Sequence, residues 1–273
     1  MKTNNSGKIS GEDYKQNTQE NWGKDPCGQK YIDSSFEKFS KEYFDELERT
    51  RYSMQNWHPA EFETFDITGK NVLEIGFGQG TDHLTMARRG GIMHGIDITK
   101  ESKIITEKRF SLYGYKTDLT TGDVEEMPYE DNSFDFVYTF GVIHHTPDMQ
   151  KAVNEIYRVL KPGGKCYFAV YNKNSLFTLG VLCKSIITFQ FLKYNLMQQI
   201  SLLEGGGNSN IYVKLCTKKD VEKLFSGFNN CKISVAHMER RYFKWFGKFM
   251  SDKLLRKLGE SFGWYIIMRA EKG

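Results

Sequence analysis

The sequence predicts an α/β protein built on a doubly wound, parallel sheet, and two observations carry this prediction. Short apolar runs alternate with amphipathic, helix-like segments between residues 70 and 171, which is the order of a parallel sheet covered on both faces. The first of these runs, Asn71–Ile75, leads into a turn with glycines at alternate positions, Gly76, Gly78 and Gly80. Such a turn lets a bulky ligand lie against bare backbone at the start of a helix.

The strands predicted from β-rich apolar runs are residues 70–75, 92–98, 116–121, 134–140, 165–171, 232–237 and 263–269. The predicted helices are residues 82–89, a segment from 99 or 101 to 113, residues 148–160 and residues 218–228. Thr81, Asp148 and Thr217 are the expected helix N-caps, and Pro162 with the two glycines after it is expected to stop the third helix. This alternation requires crossover connections between parallel strands.

Three regions follow from the composition along the chain. Residues 1–20 are polar and are predicted to be flexible, and residues 21–64 are aromatic-rich and amphipathic, which predicts a helical lid segment. Residues 65–273 form the predicted main domain, with a helical, apolar insertion at 174–212 that contains three consecutive glycines at 205–207.

Charge and cysteine content exclude several classes of protein. The 273-residue chain has a net charge of +4, too small to indicate nucleic-acid binding, although residues 213–273 carry +8 and the rest −4. The basic surplus fits either a solvated face or a binding surface. Five scattered cysteines without a CxxC pair argue against a disulfide framework or zinc site. With no apolar signal-peptide core and no transmembrane run, we expect a cytoplasmic protein.

Acidic residues recur near the ends of successive predicted strands, where a parallel sheet binds its ligand. Asp97 ends the second strand and is placed to accept hydrogen bonds from a ribose diol. Asp123 precedes the fourth strand and is placed for an adenine amino group, with Val124 to pack on its ring. Together with the glycine turn, these acids predict an adenosine-containing ligand. A nicotinamide dehydrogenase is disfavoured, because its fingerprint requires glycine where this chain has Thr81.

The ordered motifs resemble those of one family. They are Glu-Ile-Gly-Phe-Gly-Gln-Gly from residue 74, the acid at 97, Gly-Asp-Val-Glu-Glu-Met-Pro from 122, Asn-Ser-Phe-Asp-Phe-Val from 132, Gly-Val-Ile-His-His from 141 and Val-Leu-Lys-Pro-Gly-Gly from 159. The set, which spans residues 65–171, resembles the class I S-adenosylmethionine-dependent methyltransferases, in the branch with small-molecule and quinone methyltransferases. The resemblance implies a Rossmann-like, seven-stranded sheet whose last strand is antiparallel.

The resemblance also assigns roles to individual residues. It implies S-adenosyl-L-methionine as cofactor and S-adenosyl-L-homocysteine as product. The residues implied to cradle the methionine part are Glu74, Gly76, Phe77, Gly78 and Gly80. Asp97 is implied to hold both ribose hydroxyls, Ile98 and Val124 to contact the adenine, Asp123 to face its amino group, and the backbone near Phe140 to meet the cofactor's amino group.

Two adjacent histidines follow the fourth strand. Either His144 or His145 is placed to act as the base that an alcohol or ammonium acceptor needs, with His145 preferred. A structural role for both remains the alternative. No metal role is expected, because neighbouring residues on a helix do not share a face.

The acceptor pocket is expected to come from the segments outside the family motifs. Tyr31, Arg51 and Tyr52 are candidates to close over the cofactor, or else to pack. The insertion at 174–212 favours a partly apolar acceptor, a dimer contact or a lipid-facing surface. Residues 240–257 interleave basic and aromatic side chains, as interfacial helices do, but a solvated surface helix fits equally.

The sequence therefore predicts a methyltransferase that acts on an oxygen or nitrogen of a small molecule. The alternative is a cofactor-binding module without catalysis that serves a partner protein. A nucleic-acid methyltransferase is disfavoured, because Phe140-Gly-Val-Ile stands where such enzymes carry an Asn/Asp-Pro-Pro-Tyr/Phe tetrapeptide. No nucleic-acid partner is expected, and a peripheral membrane contact or a homodimer would use residues 174–212 and 240–257.

Overall fold

The computed structural model describes residues 10–204 and 211–273. Seven strands form one sheet in the order β3-β2-β1-β4-β5-β7-β6. The strands are β1 (Asn71–Ile75), β2 (Ile92–Asp97), β3 (Asp118–Thr121), β4 (Phe134–Phe140), β5 (Leu160–Tyr171), β6 (Asn229–Ala236) and β7 (Tyr265–Glu271). Six strands are parallel, and β7 runs antiparallel to both of its neighbours. The predicted Rossmann-like sheet with an antiparallel last strand is confirmed.

The strand order reverses at β1, which pairs with β2 on one side and with β4 on the other. Val72 lies beside Met93 and Phe136, and Ile75 lies beside Ile96 and Thr139. The carboxyl ends of β1 and β4 therefore diverge into helices on opposite faces of the sheet. In open α/β sheets this reversal opens the crevice in which ligands bind.

Helices cover both faces of the sheet. Helices also occur in the predicted lid segment and in the predicted insertion. They are α1 (Gly11–Lys24), α2 (Lys41–Met54), α3 (His58–Phe62), α4 (Thr81–Arg88), α5 (Lys100–Tyr113), α6 (Met149–Val159), α7 (Leu176–Ile187), α8 (Leu196–Glu204), α9 (Lys218–Leu224) and α10 (Asp252–Phe262). One core lies between the sheet and α6 and α9, and another lies between the sheet and the α2–α4 and α7–α8 side. No described helix is long and apolar enough to cross a membrane.

Two details of the predicted elements are wrong. Residues 11–20, predicted to be flexible, belong to α1, which begins after a capping box between Ser10 and Asp13. Thr81 does not cap α4 but is its first residue, since Gly80 is the N-cap and Arg109 donates to Thr81 Oγ1 at 2.7 Å. The helix predicted at 148–160 is confirmed as α6, which ends at Val159 with Leu160 as its C-cap, two residues before Pro162, and residues 162–164 form an irregularity in β5.

Two other predictions fall partly on residues that are not described. Residues 1–9 of the predicted flexible N-terminus lie outside the described residues. So does the glycine segment at 205–207 within the insertion. The boundaries of the predicted lid segment and main domain remain predictions.

Candidate active site

A cavity of about 550 Å³ lies at the carboxyl ends of β1, β2 and β4. Its floor is the glycine turn after β1, one wall comes from α1 and α2, and another wall comes from α7 and α8. The volume is in the range of pockets that hold a cofactor or drug-sized ligand. Every motif that the sequence placed at strand ends therefore faces one space.

The glycine turn has the conformation that its sequence predicts. Gly76, Gly78 and Gly80 have φ values of 73°, 53° and 72°, in the left-handed region that favours glycine. A Cβ atom on Gly78 would meet nothing within 4 Å, and this residue lines the cavity, so its bare backbone is open to a ligand. Gly80 does not line the cavity; a Cβ there would lie 2.7 Å from Thr106 Cγ2.

Gly76 is the most constrained of these positions. A Cβ atom there would lie 2.3 Å from Val142 Cγ2, on the loop after β4. We expect Gly76→Ala to lower the free energy of unfolding by about 3 kcal/mol, as left-handed strain and overpacking add. Gly114→Ala is the matched control, with the same φ of 73° and nothing within 4 Å, and should cost only about 1 kcal/mol. Urea unfolding measures both, and equal losses would contradict the close contact with Val142.

Asp97 is buried at the end of β2 and ties the glycine turn to the next loop. Its Oδ2 accepts the backbone N–H of Gly78 at 3.0 Å, and its Oδ1 accepts the N–H and hydroxyl of Thr99, both at 2.9 Å. Burial raises the pKa of Asp97, against the lowering effect of these hydrogen bonds. A carboxylate has about four lone-pair sites. The side chain of Ser102 also contributes a hydrogen bond to Asp97, and the role of this carboxylate toward the two ribose hydroxyls remains a prediction.

Asp123 is paired with a residue that the sequence did not single out. Lys15 Nζ lies 2.6 Å from Asp123 Oδ2 and 2.7 Å from Glu125 Oε2. Burial lowers the pKa of Lys15, but its hydrogen bonds and the charges of both acids raise it overall. Gln19 Nε2 also donates to the carbonyl oxygen of Ile98 at 3.0 Å. Helix α1 thus covers the end of the cavity at which the sequence predicts an adenine ring.

Glu74 lines the cavity and forms a buried pair with His83. Glu74 Oε2 lies 2.9 Å from His83 Nδ1, and His83 Nε2 lies 2.7 Å from the hydroxyl of Thr117. Burial raises the pKa of Glu74 well above its usual range and lowers that of His83 to about 3. Both directions favour a neutral pair, in which Glu74 donates to Nδ1 and Nε2–H donates to Thr117.

Arg51 is held by a buried network beneath the cavity. Its Nε donates to Asp82 Oδ1 at 3.0 Å and its Nη2 to Asp82 Oδ2, and Tyr52 and Tyr138 also donate to this carboxylate. Burial raises the pKa of Asp82, but the charge of Arg51 outweighs it and the pKa falls to about 2. The Arg51 guanidinium carbon lies 5.4 Å from the centroid of the Phe140 ring.

The structure gathers nearly all the residues expected at the cofactor. Those that line the cavity are Tyr31, Arg51, Glu74, Gly76, Phe77, Gly78, Asp97, Ile98, Asp123, Val124 and Phe140. Tyr52 does not line it, since its hydroxyl is bonded to Asp82 and Thr85. Their roles toward a cofactor remain predictions.

The two histidines lie in different environments. His144 is fully buried, its ring centroid lies 3.7 Å from that of Tyr171, and it does not line the cavity. This position does not suit a base that must reach an acceptor. His145 lines the cavity, and its Nδ1 lies 2.8 Å from the carbonyl oxygen of Tyr212, which requires a proton on Nδ1 and leaves Nε2 as an acceptor. Burial lowers the pKa of His145 to about 4.

Glu204, at the end of α8, was not predicted as a site residue. Its Oε2 lies 3.5 Å from His145 Nε2 and has no hydrogen-bond partner among the described residues. Burial raises the pKa of Glu204 to about 7, against the opposing effect of a hydrogen bond from Tyr171. A signal was present in the sequence, since Glu204 is the only acidic residue between 173 and 204.

The potential ligand atoms of His144, His145 and Glu204 all lie within 4.8 Å of one another. The sequence argument against a metal, that adjacent histidines point apart on a helix, fails here because these residues form a 3₁₀ turn with ring centroids 4.2 Å apart. His144 Nδ1 and Nε2 have no hydrogen-bond partner among the described residues, and His144 itself does not line the cavity.

Comparison with known proteins agrees with this geometry. Residues 73–168 match the sequence profile of a family described as "Methyltransferase domain". Phosphoethanolamine N-methyltransferase 2 of Caenorhabditis elegans is 35% identical over 107 residues, which are 38% of this chain and 24% of that protein. A phthiotriol/phenolphthiotriol dimycocerosates methyltransferase of Mycobacterium tuberculosis is 34% identical over 112 residues, which are 40% of this chain and 41% of that protein. The matched region spans less than half the length of either relative.

A solved structure extends the similarity to most of the fold. The crystal structure of an S-adenosylmethionine-dependent methyltransferase from Thermotoga maritima matches with a TM-score of 0.59 and 17% sequence identity, covering 94% of this chain and 100% of that one. At this identity the likeness concerns the fold alone.

The sheet order, the glycine turn and the acid that ends β2 define a Rossmann-like domain with a nucleoside-binding crevice. Residues 73–168 match a methyltransferase domain, and the fold of the chain is similar to that of an S-adenosylmethionine-dependent methyltransferase. The resemblance found in the sequence is thereby confirmed.

Proposed function

We propose that this chain uses S-adenosyl-L-methionine to methylate an oxygen or nitrogen of a small, partly apolar molecule. The observation that carries the proposal is the open backbone of Gly78, whose N–H is bonded to the buried Asp97 in a cavity too large for the cofactor's methionine part alone. When bound, the cofactor supplies an electrophilic methyl group. The chain's own task is to align that group with the acceptor and to exclude water.

The part of the cavity away from Asp97 favours an acceptor with an apolar portion. It is lined mainly by aromatic and aliphatic side chains, which are Trp22, Tyr171, Phe177, Ile200, Leu203, Tyr242, Trp264 and Tyr265. The two relatives act, by their names, on phosphoethanolamine and on phthiotriol dimycocerosates, so they do not agree on one acceptor. The apolar lining supports an acceptor of the second, lipid-like kind.

We propose that Glu204 and His145 together act as the base that receives the proton of the acceptor. With Nδ1 protonated, His145 Nε2 and Glu204 Oε2 are two acceptor atoms that face each other at 3.5 Å, so a proton placed between them is shared. The pKa of about 7 at Glu204 suits a base that works near neutrality. This pair would take up the proton that the acceptor loses when the bound cofactor supplies its methyl group. His144 packs against Tyr171 and supports the turn.

Two measurements on the unmodified chain test this proposal. Calorimetric titration with S-adenosyl-L-homocysteine should show one site with micromolar affinity. Incubation with methyl-tritiated S-adenosylmethionine and an organic extract of cells should then move radioactivity into a molecule that partitions into organic solvent. Absence of binding contradicts the cofactor assignment. Binding without transfer to organic-soluble or water-soluble molecules favours the catalytically inactive module.

A further inference from the structure

The hairpin made by α7, the 3₁₀ helix Gln190–Leu192 and α8 carries an unusual number of exposed apolar side chains. At its tip, Ile187 and Leu192 are each 76% exposed, Phe189 is 67% exposed and Ile186 is 63% exposed. Further exposed apolar side chains on the hairpin are Leu179, Leu182, Phe191, Met197 and Leu203. A contiguous apolar tip of this kind marks an interaction surface.

The only acidic residue of the hairpin is Glu204, at the end of α8 next to the cavity. Residues 173–203 contain no aspartate or glutamate, and Lys184 and Lys193 flank the apolar tip, both exposed. Neither lysine forms an ion pair with a carboxylate in the described part of the chain. The surface therefore combines apolar side chains with unneutralised positive charge.

A basic aromatic segment lies beside this hairpin. The 3₁₀ helix Arg240–Phe249 contacts α7 through Tyr242, whose ring centroid is 5.2 Å from that of Phe177. It adds Phe249, which is 79% exposed, and the exposed Lys248. The two segments that the sequence singled out as unexplained thus lie next to each other.

We propose that the hairpin tip docks in the headgroup region of a lipid bilayer that carries anionic lipids. Apolar side chains enter the boundary between headgroups and acyl chains, and Lys184 and Lys193 extend toward the phosphates. A second copy of the chain fits the surface less well. A two-fold contact would place the lysines of both copies in one interface, and residues 173–203 contain no acid to offset them.

The same two helices connect this surface to the cavity. Phe177, Ile200 and Leu203 line the cavity, whereas Ile187 lies ten residues beyond Phe177, about 15 Å along the axis of α7. A lipid with its tail in the bilayer is thus within reach of the acceptor space. Membrane docking itself does not depend on the proposed methyl transfer. Only the delivery of a lipid acceptor to the cavity rests on the proposed function.

Sedimentation with vesicles tests the docking without reference to catalysis. The chain should bind vesicles of phosphatidylcholine with 30% phosphatidylglycerol. Its affinity for vesicles of phosphatidylcholine alone should be at least tenfold lower. The double variant Ile187→Glu/Leu192→Glu should lose at least tenfold in vesicle binding. Ile104→Glu, on α5, is the matched control, since Ile104 is 66% exposed and should leave binding unchanged. Lys184→Gln and Lys193→Gln should each lower the affinity for the anionic vesicles about fivefold.

A second measurement does not depend on how the double variant folds. Phe191→Trp places a fluorophore on the exposed tip, and brominated acyl chains should quench its emission in anionic vesicles relative to vesicles without bromine. No vesicle binding by the wild type overturns the proposal, as does equal binding by the double variant. Light scattering that shows a dimer by the wild type, lost in the double variant, together with no vesicle binding, assigns the surface to a second copy instead.

Discussion

Glu204→Gln should lower kcat by about two to three orders of magnitude, because the amide cannot receive the acceptor's proton. The side chain keeps its size and its place beside Tyr171 and His145, so the fold and the affinity for S-adenosyl-L-homocysteine should change little. Glu222→Gln, at an exposed position on α9, is the matched control and should leave kcat unchanged.

The pH dependence of this variant separates the roles of the two side chains. The pKa of Glu204 is raised to about 7, so the carboxyl is protonated below that pH and cannot act as a base. The wild-type kcat/KM should therefore rise as the pH increases through about 7, and Glu204→Gln should lose this limb. The pKa of His145 is lowered to about 4, so its own titration lies below this range. A limb near 7 that persists in Glu204→Gln and disappears in His145→Asn would instead make His145 the base.

Asp97→Ala should weaken the binding of S-adenosyl-L-homocysteine by about a hundredfold. The change removes one charge-assisted hydrogen bond to a ribose hydroxyl, worth about 2 kcal/mol, and also the acceptor that holds the N–H of Gly78 in the glycine turn. Asp97→Asn keeps an oxygen at this position and should lose about tenfold. Calorimetric titration measures both variants.

The control for this prediction lies on the neighbouring strand. Asp118 starts β3, and its side chain is 75% exposed and outside the cavity. Asp118→Asn should bind S-adenosyl-L-homocysteine as the wild type does. Undiminished binding by Asp97→Ala would show that the cofactor does not depend on this carboxylate, and the assignment of the crevice would fail.

The parts of the fold that the sequence predicts depend on local patterns. β1 and β4 are apolar runs whose bounds follow from burial on both faces, and the glycine turn follows from the φ values that only glycine adopts easily. Asp97 was predictable because a strand end fixes its place in space. In each case the signal lies within a few residues of the feature that it predicts.

The residues that were missed depend on contacts between distant parts of the chain. Lys15 pairs with Glu125 across 110 positions, and nothing near either residue indicates it. Thr81 has the side chain of an N-cap, yet the fully buried Arg109 donates to its hydroxyl, a contact that arises only when α5 packs against α4. Glu204 acquires its pKa from burial beside Tyr171 and His145, which only the folded insertion provides.

The two longer N-terminal helices, α1 and α2, are anchored to the rest of the protein with unequal strength. Helix α2 buries three aromatic or aliphatic side chains and is locked by the pair of Arg51 with Asp82, and breaking a buried pair costs about 3–5 kcal/mol. Helix α1 buries only Thr18. It is held by the polar contacts of Lys15 and Gln19 and by ring contacts of Tyr14 with Tyr212 and of Trp22 with His145. Of the two helices, α1 is therefore the more weakly anchored. Because the pairs of Lys15 with Asp123 and Glu125 are ionic, dissolved salt should weaken the contact of α1 with the cavity.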